Sequence, residues 1–336
     1  FTTNNIINQL GGITGGNGTS ITYTAGGTIT QSGAISLAAN TSGNVATITY
    51  DTTSGTKAST ITAGALTIAV GSTSDINFVM KSAGSALNPN TIGTSTVRLP
   101  GTVTIDNTYG GATPASGYVT TSNISTAATT SAGVTINNAI YSTKLISIKG
   151  ISYTSQGLNY SAVINASDGG VELAGTTYNN YGVYTGNASL ITGNSITING
   201  VGAVAVAGWI DYIGALTINS GATGGDITIT AMGTSAGNDS GIYQSGAISG
   251  ANGSDVTFSS NNIINQTGII AMAANTNAIS NVTYDTTAGN RLSTISSASI
   301  STTSGSTFAI NYIAKSAGSA ISVDAISVPG YINLDN

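Results

Sequence analysis

Three short stretches decide the fold: ITIN at residues 196–199, ITIT at 227–230 and VTFS at 256–259. Each alternates apolar and polar residues over four positions, the pattern of a half-buried strand. Each also returns about one coil length after the last. If the chain winds round between them, Ile227 and Ile229 stack on Ile196 and Ile198 below and on Val256 and Phe258 above. The same alternation opens at residues 21, 48, 76, 103, 134, 171, 196, 227, 256, 282, 310 and 332, a mean step of about 28 residues. More short strands lie between these, such as AISLAA at 34–39, ALTIAV at 65–70, LISIKG at 145–150 and ALTINS at 215–220. Gly, Asn and Ser clusters separate them as turns.

A second, longer recurrence overlies the first. FSSNNIINQTG at 258–268 restates FTTNNIINQLG at 1–11, VTYDTTAG at 282–289 restates ITYDTTSG at 48–55, and KSAGSA occurs at 81–86 and 315–320. VPGYINLDN at 328–336 follows LPGTVTIDN at 99–107. Tyr50 to Tyr284 and Lys81 to Lys315 are both offsets of 234, whereas Phe1 to Phe258 is 257. The extra 23 residues are close to one short period. At the other end, ISVDAISVPG is five residues shorter than LNPNTIGTSTVRLPG. A stack of interchangeable coils absorbs such changes at little cost, whereas a closed globular core does not.

Composition points the same way. Charged residues are 6% of the chain, against about 25% in an ordinary soluble domain. Ser, Thr, Asn and 45 Gly supply the polar surface, and a 40% apolar fraction is enough to bury a core. Thr, Asn, Gly and Ile all disfavour helix interiors. A parallel sheet needs a crossover between successive strands, and here the crossover is itself made of strands. The expected fold is all-β: a right-handed parallel β-helix (β-solenoid) with coils of about 28 residues, two or three strands each. Residues 1–336 form one continuous solenoid, within which 1–107 resembles 258–336. Twelve coils at the inter-strand spacing make a rod on the order of 60 Å long. A tandem array of β-sandwiches is the runner-up, but its units of about 100 residues do not fit the short period.

No stretch reaches about 18 consecutive apolar residues, so no transmembrane helix or membrane insertion is expected. Net charge is −5, which offers no basic field for nucleic acid. The start matches interior sequence and has no signal-peptide pattern, so the chain reads as a piece or a mature segment of a longer protein.

GVELAGTTYNNYGVYTGNASLITGNSITINGVG at 170–202 resembles the coil repeats of filamentous-haemagglutinin-like exoproteins and related autotransporter passengers. Those repeats run from a G-x-V-x-I-x-G strand through N-Y-G-V-Y to a G-N-x-I-x-I-x-G strand. DSGIYQSGAISGANGSDVTFSS at 239–260 follows the pattern more loosely. The resemblance implies a large fibrous protein exported across a bacterial outer membrane, serving at the cell surface as an adhesin or filament.

Catalytic chemistry finds little material. There is no His or Cys, and the acids are eleven Asp and one Glu. Asp51 and Asp285 recur with the long repeat, as do Asp106 and Asp335, which marks them as turn formers or strand terminators. Asp168 and Glu172, in SDGGVE, could line one groove or flank a turn. GGNGTSIT at 15–22 has the glycines of a calcium-binding roll but Ser20 in place of its Asp. We therefore expect no catalytic, cofactor-binding or metal-binding residue, no cofactor, and no enzyme activity. Thr28 and Thr30, Thr102 and Thr104, and Thr228 and Thr230 could form hydroxyl ladders. Ten Asn-x-Ser/Thr sequons occur, including Asn17, Asn123, Asn187 and Asn281. Tyr178, Tyr181 and Tyr184, like Trp209, could stack within or beside a coil, or touch carbohydrate.

The expectation is a structural segment of a secreted bacterial surface fibre, either an adhesin stalk or a self-assembling filament. Its partners would be further copies or adjoining repeats end to end, with host or environmental glycans as further candidates. The alternatives are a glycan-binding β-helix module and a polysaccharide-degrading β-helix enzyme.

Overall fold

The structure, a computed structural model, describes residues 1–55, 59–84, 86–109, 132–178, 180–185, 189–202, 210–212, 215–219, 224–233, 241–289, 293–318 and 320–336. Among these residues every regular element is a β-strand, and the described strands stack as a parallel β-solenoid. The chain visits three sheets in turn and then returns to the first. The first sheet holds thirteen strands, from Thr2–Thr3 through Ile21–Ala25 and Ala46–Thr52 to Ile332–Asp335. The second holds twelve, from Ile7–Gln9 to Ile321–Val323. The third begins with Ile13–Gly15, Ile35–Leu37 and Leu66–Ile68. It continues through Ile92, which bridges Leu66 and Ile140, into the seven strands from Ile140–Ser142 to Ile300–Thr302.

Register follows the side-chain pattern. Ile196 and Ile198 pair with Ile227 and Ile229, which pair in turn with Val256 and Phe258. All six are fully buried. Because successive side chains point to opposite faces, a one-residue slip would turn this whole row outward. Burying one such Ile or Val contributes about 1.5–3 kcal/mol, and the row repeats down the rod.

One element differs from the sequence expectation. VTIN at 134–137 alternates like a first-sheet strand, yet Val134–Ile136 belongs to the second sheet, between Leu87 and Leu158. The first-sheet strand of that coil is Val103–Asp106, and the next first-sheet strand is Ile146–Ser152, placed by the pairs Val103–Ile146 and Ile105–Ile148. Alternation marks an inward row but does not say which sheet it belongs to. Ladder partners decide that.

Where the first and second sheets meet, glycines stack. Gly150 pairs with Gly175 and Gly175 with Gly200. A Cβ on Gly175 would stand 1.7 Å from the Gly182 carbonyl oxygen. The backbones approach so closely at this corner that only hydrogen fits.

The structure also resolves the long repeat into coils. Phe258 lies one first-sheet strand before Tyr284 and stacks on it at 4.9 Å, as Tyr23 stacks on Tyr50 at 4.9 Å. Phe258 therefore occupies the place of Tyr23, and Phe1 belongs to one further coil stacked on Tyr23 at 4.9 Å. The 23-residue excess between the repeats is one whole coil. Buried asparagines confirm the equivalence: Asn40 donates to the carbonyls of Asn44 and Asp75, and Asn275 to those of Ala278 and Ala309.

Candidate functional site

The outward face of the first sheet gathers much of the chain's sparse charge. Following the pairing gives one row: Thr24, Asp51, Lys81, Asp106, Lys149. Farther along the rod the same row reads Ser259, Asp285, Lys315, Asp335. Lys81 Nζ lies 3.0 Å from Asp51 Oδ2, and Lys315 Nζ lies 3.7 Å from Asp285 Oδ2. The Asp–Lys spacing is 30 residues in both places, one coil.

The aspartates of this row also shape turns. Asp51 Oδ1 accepts from the Thr53 amide at 2.8 Å and its hydroxyl at 2.6 Å. Asp106 does the same with Thr108, at 2.7 and 2.6 Å, and Asp285 with Thr287, at 2.9 and 2.6 Å. This is an Asx turn that ends the strand, the terminating role expected of these positions. Partial burial pushes the Asp51 carboxyl up, but the two Thr53 bonds and then Lys81 outweigh it, leaving it below the usual range. Asp285 is lowered in the same way by Thr287 and Lys315 against its burial. Each of these carboxylates thus carries two turn-forming hydrogen bonds, and Asp51 and Asp285 carry an ion pair as well.

Asp168 and Glu172 flank a turn. Asp168 is exposed and accepts from the Ser167 hydroxyl at 3.3 Å, while Glu172, on the outward face of Val171–Thr177, accepts from Ser147 at 3.4 Å. The GGNG stretch is a turn in which Gly18 adopts φ 69°. Asn17 there bonds the hydroxyl and amide of Thr41, as Asn252 bonds those of Thr276. Among the described residues no three His, Cys, Asp or Glu side chains come together as metal ligands.

Thr104, Thr228 and Thr230 lie on the outward face of the first sheet, and Thr197, Thr228, Thr257 and Thr283 form one unbroken row there. Thr30 faces outward from the second sheet, between Asn8 and Thr62. Tyr178 stacks on Tyr153 at 4.8 Å, and Tyr181 meets Tyr184 in a tilted pair at 5.4 Å, all partly exposed beside the coils. Asn281 accepts from Asn311 at 3.1 Å. Asn123, Asn187 and Trp209 lie outside the described residues.

Two features escaped the sequence reading. The first is a polar seam inside the stack. Tyr50 and Tyr284 donate to Gln31 and Gln266, and the Tyr312 and Ser297 hydroxyls lie 3.0 Å apart. Its signal was present: each Gln precedes its Tyr by 18 or 19 residues, the same short offset in both repeats. The second is a lateral groove of about 350 Å³ beside Arg98. It sits at the five-residue difference between the two repeats, which reads in sequence only as a longer loop.

Compared with protein-family models, with curated proteins and with solved structures, the chain gives no match in any of the three.

Proposed function

We propose that this chain is a structural segment of a secreted bacterial surface fibre, an adhesin stalk or a self-assembling extracellular filament. The observation that carries the reading is modularity. The first-sheet ladder runs through thirteen strands, and the long repeat gains or loses one whole coil without breaking it. Such an architecture sets length and spacing, which is what a stalk requires. The stretch that resembles filamentous-haemagglutinin-like repeats supports the same reading. It spans the strands Val171–Thr177, Val183–Thr185, Leu190–Gly193 and Ile196–Gly202, a complete turn through all three sheets and into the next.

The natural partner in this reading is another coil, from adjoining repeats or from a second copy. Leu334 and Ile332 are half exposed on the strand Ile332–Asp335, and Phe1 is 63% exposed at the opposite end of the ladder. A coil laid on either would bury these apolar side chains and pair free backbone groups. Contacts of that kind are head to tail and do not close, so they build filaments. Sedimentation and electron microscopy of the segment at rising concentration test this. Growing linear assemblies are expected, and a monomer that persists at high concentration would refute self-assembly.

A further inference from the structure

We propose that the loop at 93–98 forms a lateral binding site for the carboxylate of an acidic sugar residue, with Arg98 as its anchor. The loop leaves an otherwise continuous ladder. Ile92 bridges Ile140, and Leu99 bridges Ser142 on the same strand, Ile140–Ser142. Both Ile92 and Leu99 are buried, so the six residues between them are pinned at both ends. Gly93 starts the excursion at φ 65°, where a Cβ would stand 2.9 Å from the Tyr141 carbonyl oxygen. The turn then closes on itself, Thr94 N–H to Val97 O at 2.8 Å and Val97 N–H to Thr94 Oγ1 at 2.9 Å.

The other repeat lacks this loop. There Ile326 bridges Ile300 as Ile92 bridges Leu66, and only Ser327 separates it from Val328, the counterpart of Leu99. Ile326 therefore reaches its place on the third-sheet ladder without a counterpart of residues 93–98. A loop that the fold does not need, held rigidly on a regular scaffold, is where binding residues are commonly found.

The excursion creates the groove and supplies its charge. Val70 and Ser72 form one wall, Thr96, Val97 and Arg98 the other, and Thr143 also lines it. Arg98 reaches along the rod axis over the outward face of the third sheet. Its Cζ sits 5.5 Å from the centre of the Tyr141 ring, and Nη1 donates to Asn165 Oδ1 at 2.5 Å. Asn165 is neutral, and no carboxylate among the described residues pairs with Arg98. The nearby Lys144 is already paired with Asp75 at 2.6 Å. A guanidinium has five N–H donors in a planar fork that matches a carboxylate. One is used here, and the Tyr141 ring and Asn165 hold the plane in place. Around it, the Ser72, Thr96 and Thr143 hydroxyls suit sugar hydroxyls, and Val70 and Val97 suit the C–H face of a pyranose. Val70 is 74% exposed, which leaves apolar surface for a ligand to cover.

Calorimetric titration of the whole chain with oligogalacturonate, with its carboxyl-reduced neutral counterpart and with a sulfated oligosaccharide tests the site. Saturable binding of the carboxylated oligomer is expected, at least tenfold tighter than either comparison ligand. Arg98→Gln should weaken it tenfold or more with an unchanged thermal melt, and Arg98→Lys should weaken it by less. Thr96→Asp, which touches neither partner of Arg98, should weaken it through like charge. Absence of saturable binding, equal binding of the neutral oligomer, or an unaltered affinity in Arg98→Gln would overturn the proposal. Tighter binding of the sulfated ligand would overturn the carboxylate assignment.

Discussion

Tyr50 donates its phenol hydrogen to Gln31 Oε1 at 2.9 Å in the interior of the stack, across the step from one coil to the next. The same oxygen accepts from the Gly64 amide. One side chain thus ties a first-sheet strand to the turn of the following second-sheet strand. The other repeat builds the same tie, with Gln266 Oε1 accepting from Tyr284 at 3.0 Å and from the Ala298 amide at 2.9 Å. A polar group in an apolar lumen pins axial register more tightly than aliphatic contact does, because misplacing it leaves buried donors unpaired.

Removing the acceptor should therefore cost more than removing the donor. Gln31→Leu strands both the Tyr50 hydroxyl and the Gly64 amide, at about 1–3 kcal/mol each. Tyr50→Phe leaves Gln31 still bonded to Gly64 and should cost about 1 kcal/mol. Urea unfolding of the two variants measures the difference. Equal losses would mean that the seam does not act as a shared acceptor.

The same seam sets the response to pH. Burial raises the Tyr50 hydroxyl far above its ordinary value, with Tyr23 adding to the effect, and raises Tyr23 to about 12. Burial also raises Tyr284, with Tyr312 adding to it and Ser297 opposing. A folded state that holds these protons more tightly than the unfolded chain has their full stabilisation below the unfolded value, about 10. It loses stability as pH climbs through the raised values. At the acid end the sign reverses for Asp51 and Asp285, whose lowered values favour the folded state above about pH 4 and cease to do so as pH falls. Their partly exposed setting keeps that contribution small. Melts across pH should show a steep alkaline loss that coincides with tyrosinate absorbance, and only a shallow acid one. Tyrosinate forming near pH 10 without unfolding would contradict the buried placement.

Adjacent residues on one strand should differ sharply in tolerance. Ile229 is fully buried between Ile198 and Phe258, while Thr228 faces outward between Thr197 and Thr257. Ile229→Asp places a carboxylate between apolar rungs and should cost several kcal/mol or shift its titration upward. Thr228→Asp should stay within about 0.5 kcal/mol. Denaturant melts of the pair read the register directly, and comparable losses would show that it is wrong.

Much of this is legible in the sequence, for a physical reason. A ladder in which each coil repeats the last writes its register as spacing, so Ile196, Ile227 and Val256 align by their separation along the chain alone. The 234-residue offset that relates Asp51 to Asp285 and Lys81 to Lys315 is legible too, but the Asp–Lys pairing across one coil emerges only from the stacked strands. Less can be read where two sheets share one alternation. Val134 looks like Ile146 because both face the same lumen, and only their hydrogen-bonded neighbours separate them. The Arg98 groove is illegible for another reason. Its walls come from residues 70, 96 and 143, brought together by stacking, and loop length alone says nothing of what a loop encloses.

The strongest test of coil modularity is to excise one coil. Val171 pairs with Ile196 and Leu173 with Ile198, so residues 171–195 amount to one turn. Joining Gly170 to Ile196 keeps the local bonding, because Ile146 N–H already bonds Gly170 O as Val171 N–H bonds Ser195 O, at 3.0 and 2.8 Å. In the shortened chain Ile196 would lie on Ile146 and Gly200 on Gly150, preserving the glycine corner. On the second sheet Ile210 would lie on Leu158, and on the third Leu216 on Ile164. Each new neighbour is apolar and buried in the parent, so the deletion should yield a folded rod one coil shorter. It should unfold cooperatively, with a loss set by one coil and one interface. Removing only 171–182 takes out a first-sheet strand but leaves Val183–Thr185 and Leu190–Gly193 to find partners. That variant should aggregate or remain unfolded. Circular dichroism and sedimentation of the two deletions decide the matter, and a full-coil deletion that fares no better than the half-coil one would show that the coils are not interchangeable units.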